Sequence, residues 1–512
     1  MSKFFKILSM AVLLAAFISC EKTPVDDGKT PEEPEFVRYQ TNQQCPINIV
    51  KGYLNFNILL PNDYNENAEK RYPVVYMLHG YGDNINTWEK KGWKSHIQSL
   101  ETAGLPPMIY VFPTGWDSYY SNTFDDSRKY MDMFTQEFVP FIDQNYRTIA
   151  DREHRAVMGY SMGGFGAMVL PLKNPDIFSI SVPLSMSFRT DEQYMTEPAG
   201  GWDYQWGKIF GGKGLTGEAR LTEYYKEHCP FYQFIPENKE TLSRVKWFFH
   251  CGDDEEQLLI ANDNLHVQLR NYGYDHEFRI SNGGHTESYW RTAAKETLPW
   301  ISHVMNDGGE WSKIMNDVTP KSAELNEDGT FSSKAFKEAE EKEGIAFYLV
   351  HKGMEKEMTD NIIGLLAQNG PTKQFMILPC DLEAKSLNEW ITFYTDKYEV
   401  GKDVSTSQVI AFEDAGREVW NTRDKFSKYY FVDADLAEDE TTIIADADKF
   451  YFITQTDEGI NYKDMNALYR ACMSAIDHID NRNFEYRMRN GLADKAKETL
   501  LSAKSVADNL KF

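Results

Sequence analysis

RAVMGYSMGGFGAM, residues 155–168, joins a continuous apolar run to a run of small residues through Ser161. The apolar run at 155–160 is typical of a buried central strand, and the glycines that follow Ser161 open a helix-like segment. In such a strand-to-helix turn the serine hydroxyl is exposed, and bulky neighbours would collide with the surrounding backbone. The stretch predicts a nucleophile elbow with Ser161 as candidate nucleophile; the alternative is a serine that merely occupies a turn.

Other apolar runs surround this stretch, and amphipathic, helix-like segments such as 131–145 and 260–272 lie between them. The runs are YPVVYMLHG (72–80), PMIYVFPTG (107–115), VKWFFHCG (245–252) and HEFRIS (276–281). Strands that alternate with helices predict an α/β fold with a mainly parallel sheet and helices on both faces. In such folds the chemistry lies in loops at the carboxyl ends of the strands.

A serine hydroxyl needs a histidine to take its proton and an acid to orient that histidine. His285 lies in a glycine loop, SNGGHTESYW, directly after the last apolar run. His250 falls within a strand run and His266 within a helix-like segment, so both are interpreted as structural. The acid is expected in CGDDEEQLL (251–259), where the residues alone do not choose among the four carboxylates at 253–256.

The oxyanion formed during acyl transfer needs backbone N–H donors. One is expected from Met162, the residue after the candidate nucleophile. The other is expected from the HGYG turn at 79–82, which follows the first apolar run. His79 itself is interpreted as shaping that turn rather than transferring protons.

Four separated motifs carry a resemblance to a known family. They are PVVYMLHGYGDNINTW, SNTFDDSRKYMDMFTQEFVPFIDQNYRT, MGYSMGGFGAM and NGGHTESYW. Together they resemble the esterase family of α/β-hydrolases that contains feruloyl esterases, acetylxylan esterases and S-formylglutathione hydrolases. The resemblance covers about residues 45–305, and it implies Ser161 as nucleophile, His285 as base, and Met162 with Tyr81 as oxyanion donors.

The acid is where this sequence departs from the family pattern. Family members often have Cys-Gly, two further residues and an aspartate, with a Leu-His pair ten residues past the acid. Counting forward from Cys251 reaches Glu255, and counting back from His266 reaches Glu256. Because an aspartate is usual, Asp254 is predicted as the acid, with Glu256 and Glu255 as the alternatives.

The resemblance also implies the class of substrate. An exported esterase of this family suits feruloyl or acetyl esters on plant polysaccharide such as xylan. Aromatic residues near the predicted site are candidates for stacking on a sugar or phenolic ring: Trp88, Trp116 and Tyr119. Two other hypotheses remain, a non-catalytic polysaccharide-binding protein on a hydrolase fold and an acyltransferase.

Composition excludes several other classes of function. The 512 residues include 54 Lys and Arg against 78 Asp and Glu, and the net charge of −24 argues against nucleic acid as a partner. The cysteines after Cys20 are scattered and contain no CxxC pair, so a zinc site is not expected. No metal or cofactor is predicted, and the oligomeric state is left open.

The N-terminus has the pattern of an export signal. MSKFFKILSMAVLLAAFISC (1–20) begins with lysines, continues as an apolar stretch and ends in small residues typical of a cleavage site. It resembles a bacterial lipoprotein signal, which implies lipidation of Cys20 and an outer-membrane, periplasmic or cell-surface location. Residues 21–44 are predicted to form a flexible acidic tether and 45–306 the catalytic domain.

The second half of the sequence repeats the order of apolar runs found in the first. After a predicted linker at 307–344, the runs IAFYLVHKGM (345–354), SQVIAFEDAGREVW (407–420) and FYFITQTDEG (450–459) follow the same order as their counterparts. Residues 345–512 are therefore predicted to be a degenerate α/β-hydrolase-like copy. Glu413 stands in the place of Ser161 and Ala493 in that of His285, so no chemistry is expected there.

Overall fold

The computed structural model describes residues 37–306, 318–319, 322–341, 344–401, 406–421, 425–426, 428–434, 436, 449–456, 484–489 and 494–512. Contacts divide the chain into two units, Met1–Val37 and Arg38–Phe512. All of the secondary structure given below belongs to the second unit. The predicted signal peptide, the lipidation site at Cys20 and Ala493 lie outside the described residues.

Residues 37–306 contain eight strands, and those at the centre are fully buried, as their apolar sequences predict. The strands are β1 (Tyr39–Ile47), β2 (Gly52–Leu59), β3 (Val74–Leu78), β4 (Ile109–Pro113), β5 (Arg155–Tyr160), β6 (Ile180–Leu184), β7 (Lys246–Gly252) and β8 (Glu277–Ser281). The α-helices are α1 (Thr87–Lys90), α2 (Trp93–Thr102), α3 (Tyr130–Met133), α4 (Val139–Asn145), α5 (Met162–Lys173), α6 (Asp191–Thr196), α7 (Ala199–Gly201), α8 (Gly207–Phe210), α9 (Glu223–His228), α10 (Pro230–Gln233), α11 (Lys239–Leu242), α12 (Glu256–Asn271) and α13 (Glu287–Asn306). Phe134–Phe138 and Trp202–Trp206 are π-helical, and Gly217–Arg220 and Pro236–Asn238 are 3₁₀-helical.

The second half also alternates strands and helices. Its described strands are β9 (Phe331–Ser332), β10 (Ile345–His351), β11 (Phe375–Asp381), β12 (Gln408–Phe412), β13 (Lys428–Val432), β14 (Phe450–Thr456) and β15 (Phe484–Arg489). Its described helices are α14 (Lys334–Glu338), α15 (Lys356–Leu366), α16 (Leu387–Tyr398), α17 (Asp414–Trp420) and α18 (Lys495–Ala507).

All fifteen described strands form one sheet, in the order β1-β2-β4-β3-β5-β6-β7-β8-β15-β14-β13-β12-β10-β11-β9. Strands β3 to β8 pair in parallel, and β2 joins antiparallel to β4. The second half repeats this order outward from β15, and β9 joins antiparallel to β11 as β2 joins β4. The halves meet where β8 and β15 pair antiparallel, with Met488 opposite Ile280. The predicted α/β class with a mainly parallel sheet is confirmed.

Helices cover the sheet in equivalent ways in the two halves. In the first half, α2 and α13 pack on the face of β3 that carries Val75 and Met77. Tyr76, on the opposite face, packs edge-on against Phe134 of the π-helical segment. In the second half, α15 and α18 pack together over β10 in a separate core. Each half therefore has its own hydrophobic core on a shared sheet.

Two predicted boundaries are wrong. The tether was expected to run to residue 44, but β1 begins at Tyr39, because 39–47 pair in register with β2. The linker was expected to span 307–344, but β9 at Phe331–Ser332 pairs with β11 and α14 follows it. The predicted end of the first domain at 306 coincides with the end of α13.

Candidate active site

Ser161 lies in a strained turn between β5 and α5, at φ 58° and ψ −120°. Its N–H donates to the Leu184 carbonyl at 3.0 Å, and its carbonyl accepts the N–H of Phe165 at 3.0 Å. At Gly163 a Cβ would lie 1.9 Å from the Leu78 carbonyl oxygen, so only glycine lets α5 begin against the end of β3. The packing of this turn accounts for a non-glycine residue in the left-handed region.

Ser161, His285 and Glu255 form a connected chain of hydrogen bonds. The Ser161 Oγ lies 2.9 Å from the Nε2 of His285. The Nδ1 of the same ring lies 2.7 Å from Oε2 of Glu255. The Glu255 side chain is 1% exposed, whereas that of His285 is 42% exposed. The geometry suits a hydroxyl that gives its proton to an imidazole held by a buried carboxylate.

The prediction that Asp254 reaches His285 is wrong, because Glu255 is the carboxylate in contact with the ring. Residues 252–255 form a tight turn in which the Glu255 N–H points to the Gly252 carbonyl at 3.4 Å. This turn directs Glu255 inward and leaves Asp254 exposed. Glu256, the other alternative, is the first residue of α12, and its side chain is not among those described.

Ser185 and Trp290, neither of which the sequence singles out, support Glu255. The Ser185 hydroxyl donates to Oε1 of Glu255, and the Gly252 N–H donates to the same oxygen at 3.2 Å. Trp290 Nε1 donates to the Ser185 Oγ at 2.8 Å, and its ring meets that of His285 edge-on at 4.9 Å. The position of Ser185 directly after β6, at the carboxyl edge of the sheet, is the signal that could have identified it.

The predicted oxyanion donors lie at the two backbone segments that meet beside Ser161. Met162 is the first residue of α5, where a helix has N–H groups without intrahelical partners. Tyr81 follows the His79-Gly80 turn at the end of β3. Their role stays a prediction.

His79 holds that turn in place. The N–H of Gly115 donates to its Nε2 at 2.8 Å, and its Nδ1 lies 2.8 Å from the Gly80 carbonyl oxygen. Burial lowers the pKa of His79, which favours the neutral ring. These contacts agree with the interpretation of His79 as a residue that shapes the turn.

Two of the three aromatic residues predicted to contact substrate are buried, so those two predictions are wrong. Trp88 is 1% exposed and packs against Trp93, Phe112 and Tyr160 in the core. Tyr119 is fully buried, with its hydroxyl 3.4 Å from the Ser187 Oγ. Trp88 lies in α1 and Tyr119 in the segment after β4, and both side chains point into the protein.

Trp116 is 38% exposed and lines a cavity of about 720 Å³ together with Lys51, Asp117 and Arg128. Arg128 pairs with Asp117 at 2.6 Å, and Lys208 binds the other carboxylate oxygen of Asp117. Burial alone would raise the pKa of Asp117, but these two cations outweigh it and lower the pKa to about 2.

The cavity is linked to the predicted oxyanion site by the same lysine. The Nζ of Lys208 lies 3.2 Å from the Tyr81 hydroxyl. A network of charges and hydrogen bonds therefore runs from Tyr81 to the cavity wall.

Within the described part of the chain, no group of three or more His, Cys, Asp or Glu side chains is placed to hold a metal ion. None of the described helices is long and apolar enough to cross a membrane.

The strand order and the strained elbow define an α/β-hydrolase-type fold in the first half, and the Ser161–His285–Glu255 chain lies at that elbow. Residues 47–301 match the family model described as "Putative esterase". This part of the chain resembles the members of that esterase family.

Named relatives are similar over the same half. Esterase Rv1288 of Mycobacterium tuberculosis (strain ATCC 25618 / H37Rv) is 30% identical over 248 residues, which cover 45% of this chain and 52% of the relative. The chain thus spans about half the length of that relative. An endo-1,4-beta-xylanase/feruloyl esterase of Xylanibacter ruminicola is 31% identical over 133 residues, or 24% of this chain and 18% of the relative. A solved structure of a ferulic acid esterase is 27% identical with a TM-score of 0.43, and the match covers 51% of this chain and 96% of that one.

Proposed function

We propose that the first half is a serine carboxylic-ester hydrolase that works through an acyl-enzyme. The observation that carries this proposal is the Ser161–His285 contact of 2.9 Å, continued to Glu255 at 2.7 Å. The match of residues 47–301 to the esterase family model supports the same reaction class. We assign no step of this reaction to a residue of the second half.

In the proposed reaction Ser161 Oγ attacks the ester carbonyl carbon while its proton passes to Nε2 of His285. The carbonyl oxygen becomes an oxyanion that accepts hydrogen bonds from the N–H groups of Met162 and Tyr81. Collapse of the intermediate breaks the bond to the alcohol oxygen, which takes the proton from His285. Water then attacks the acyl-enzyme by the same route, and the carboxylic acid leaves.

Glu255 stabilises the imidazolium and fixes the ring tautomer during these steps. Its Oε1 is held by Ser185 and Gly252, which leaves Oε2 for His285. The acid in this proposal is a glutamate, in place of the aspartate that the sequence analysis favoured.

We propose feruloyl or acetyl esters on a plant polysaccharide such as xylan as the substrate. One relative is named as a xylanase and feruloyl esterase, and the exposed Trp116 beside a polar cavity offers a surface for a sugar ring. The charged lining, with Asp117 and Arg128, suits hydrogen bonds to hydroxyl groups.

The test compares methyl ferulate, a p-nitrophenyl ester and a feruloylated or acetylated xylan oligosaccharide as substrates. Trp116→Ala is expected to raise KM for the oligosaccharide about tenfold and to leave kcat/KM for methyl ferulate within about twofold. Phe393→Ala, at an exposed aromatic residue in the second half, is the matched control. Hydrolysis of the small esters without hydrolysis of the oligosaccharide would reject a polysaccharide substrate. Hydrolysis of none of the three substrates would reject esterase activity.

The proposed location is outside the cytoplasm, with a lipid on Cys20 as the only membrane contact. This part of the proposal rests on the sequence of residues 1–20. Metabolic labelling with a fatty-acid probe tests it, because the label should appear on the processed protein that begins at Cys20 and be lost in Cys20→Ala.

A further inference from the structure

A buried ion pair joins the second half of the chain to the loop that carries Glu255. Asp253 lies two residues before Glu255 and is 1% exposed, and its Oδ2 pairs with the guanidinium of Arg487 on β15. The N–H of Tyr486 points to the same oxygen at 3.4 Å. A carboxylate so deeply buried is stable in its charged form only with a partner of this kind.

Asp253 also binds the loop that carries His285. Its Oδ1 accepts the N–H of Gly283 at 2.9 Å, and its own N–H donates to the Ser281 carbonyl at 3.1 Å. A Cβ on Gly252 would lie 2.0 Å from the Gly283 carbonyl oxygen, so the two loops touch through their backbones. One carboxylate thus connects the glutamate loop, the histidine loop and β15.

We propose that Arg487 is a positioning residue, by which the second half of the chain fixes the glutamate and histidine loops through Asp253. Without Arg487, a buried carboxylate would lose its cation and move toward water. Glu255 lies two residues after Asp253, and His285 lies two residues after Gly283, whose N–H Asp253 binds. A movement of Asp253 would therefore disturb the 2.7 Å and 2.9 Å contacts of the site. Misplacement on the ångström scale lowers catalytic rates by about 10²-fold.

This inference rests on the proposed esterase activity. It also gives the second half a role that needs no nucleophile, because β15, the strand that pairs with β8, supplies a cation to the loops beside the site. Arg487 also donates to the Tyr486 carbonyl oxygen at 2.7 Å and lies over the Phe452 ring. In this proposal its effect on the site passes through Asp253.

The test measures kcat and KM on methyl ferulate for Arg487→Met, Asp253→Asn and the double variant. Each single variant is expected to lower kcat about 10- to 100-fold with KM within about threefold. If Arg487 acts through Asp253, the double variant should be no worse than the more damaged single variant. Arg487→Lys, which keeps a cation, should recover much of kcat.

Arg489→Met is the matched control, because this arginine of the same strand binds the Glu498 carbonyl at 2.6 Å and the Ser502 hydroxyl at 3.1 Å within the second half. It is expected to lower the melting temperature and to leave kcat within about twofold.

Equal kcat in Arg487→Met and wild type, with only the melting temperature reduced, would overturn the inference and leave a structural ion pair. An inactive wild-type protein would instead overturn the proposed function. If Arg487→Met does not fold, the kcat values of Arg487→Lys and Asp253→Asn are compared with that of wild type in the same way.

Discussion

Glu255 is the residue whose identity depends most on the three-dimensional structure. Its carboxylate is buried, contacts His285 and is held by Ser185 and Gly252. The neighbouring Asp254 is exposed. The choice between two adjacent acidic residues is therefore made by the turn at 252–255.

Glu255→Gln is expected to lower kcat by about 10²–10⁴, since the amide cannot stabilise the imidazolium and favours the wrong tautomer. Asp254→Asn, at the exposed neighbour, is expected to stay within about twofold of wild type. Steady-state kinetics on a p-nitrophenyl ester measure both. A loss in Asp254→Asn together with full activity in Glu255→Gln would contradict the assignment.

The sequence predicted Ser161 and His285 because their positions follow from local patterns, an elbow after a buried strand and a glycine loop after the last strand. It could not choose the acid, because the direction of a side chain in a four-residue turn depends on contacts with a loop about thirty residues away. Here Gly252 packs against Gly283, which brings the turn that carries Glu255 beside the loop that carries His285. Trp88 and Tyr119 failed for a related reason, since loop position does not reveal which aromatic rings turn inward.

At the level of elements, the turn between β12 and α17 repeats the turn between β5 and α5. Glu413 has φ 48° and ψ −128°, close to the 58° and −120° of Ser161. Its N–H donates to the Val432 carbonyl at 2.7 Å, as that of Ser161 donates to Leu184 at 3.0 Å. The second half thus has the backbone of an elbow, with an exposed carboxylate in place of a hydroxyl.

Glu413→Gln is expected to leave esterase activity within about twofold, the result for a position without a catalytic role. The matched variant in the first half, Ser161→Ala, should be inactive in the same assay. A loss of tenfold or more in Glu413→Gln, with unchanged stability, would mean that the second elbow takes part in the reaction.

The strands around this second turn were predictable from their apolar runs and their order. The union of both halves in one sheet was not, because it depends on edge strands that lie far apart in sequence. β8 and β15 are short, and nothing in their composition predicts that they pair with each other rather than remain separate edges. The role of Arg487 depends on the same pairing.

At the scale of the whole molecule, buried histidines make the fold sensitive to mild acid. Burial lowers the pKa of His228 and His276 to about 4 and that of His250 to about 3. In the unfolded chain each takes up a proton near pH 6.5. Below that pH the unfolded state binds more protons, so stability falls as the pH drops from 6.5 toward 4.

The free energy of unfolding is therefore expected to be lower at pH 5.5 than at pH 7.5, by up to about 1.4 kcal/mol for each buried histidine. Urea denaturation at the two pH values measures the difference, and His250→Gln should reduce it. Equal stability at both pH values would show that these rings take up protons in the folded protein as readily as in the unfolded chain.

The central claim is that Ser161 is an activated nucleophile. Ser161→Ala is expected to lower kcat by about 10³–10⁶ without loss of the fold. The most direct measurement is the reaction of the full-length protein with a fluorophosphonate, followed by mass spectrometry of the peptides. The account predicts loss of fluoride and a phosphonyl adduct on the peptide that contains Ser161, absent from Ser161→Ala. An unmodified Ser161, or an adduct on another residue, would contradict it.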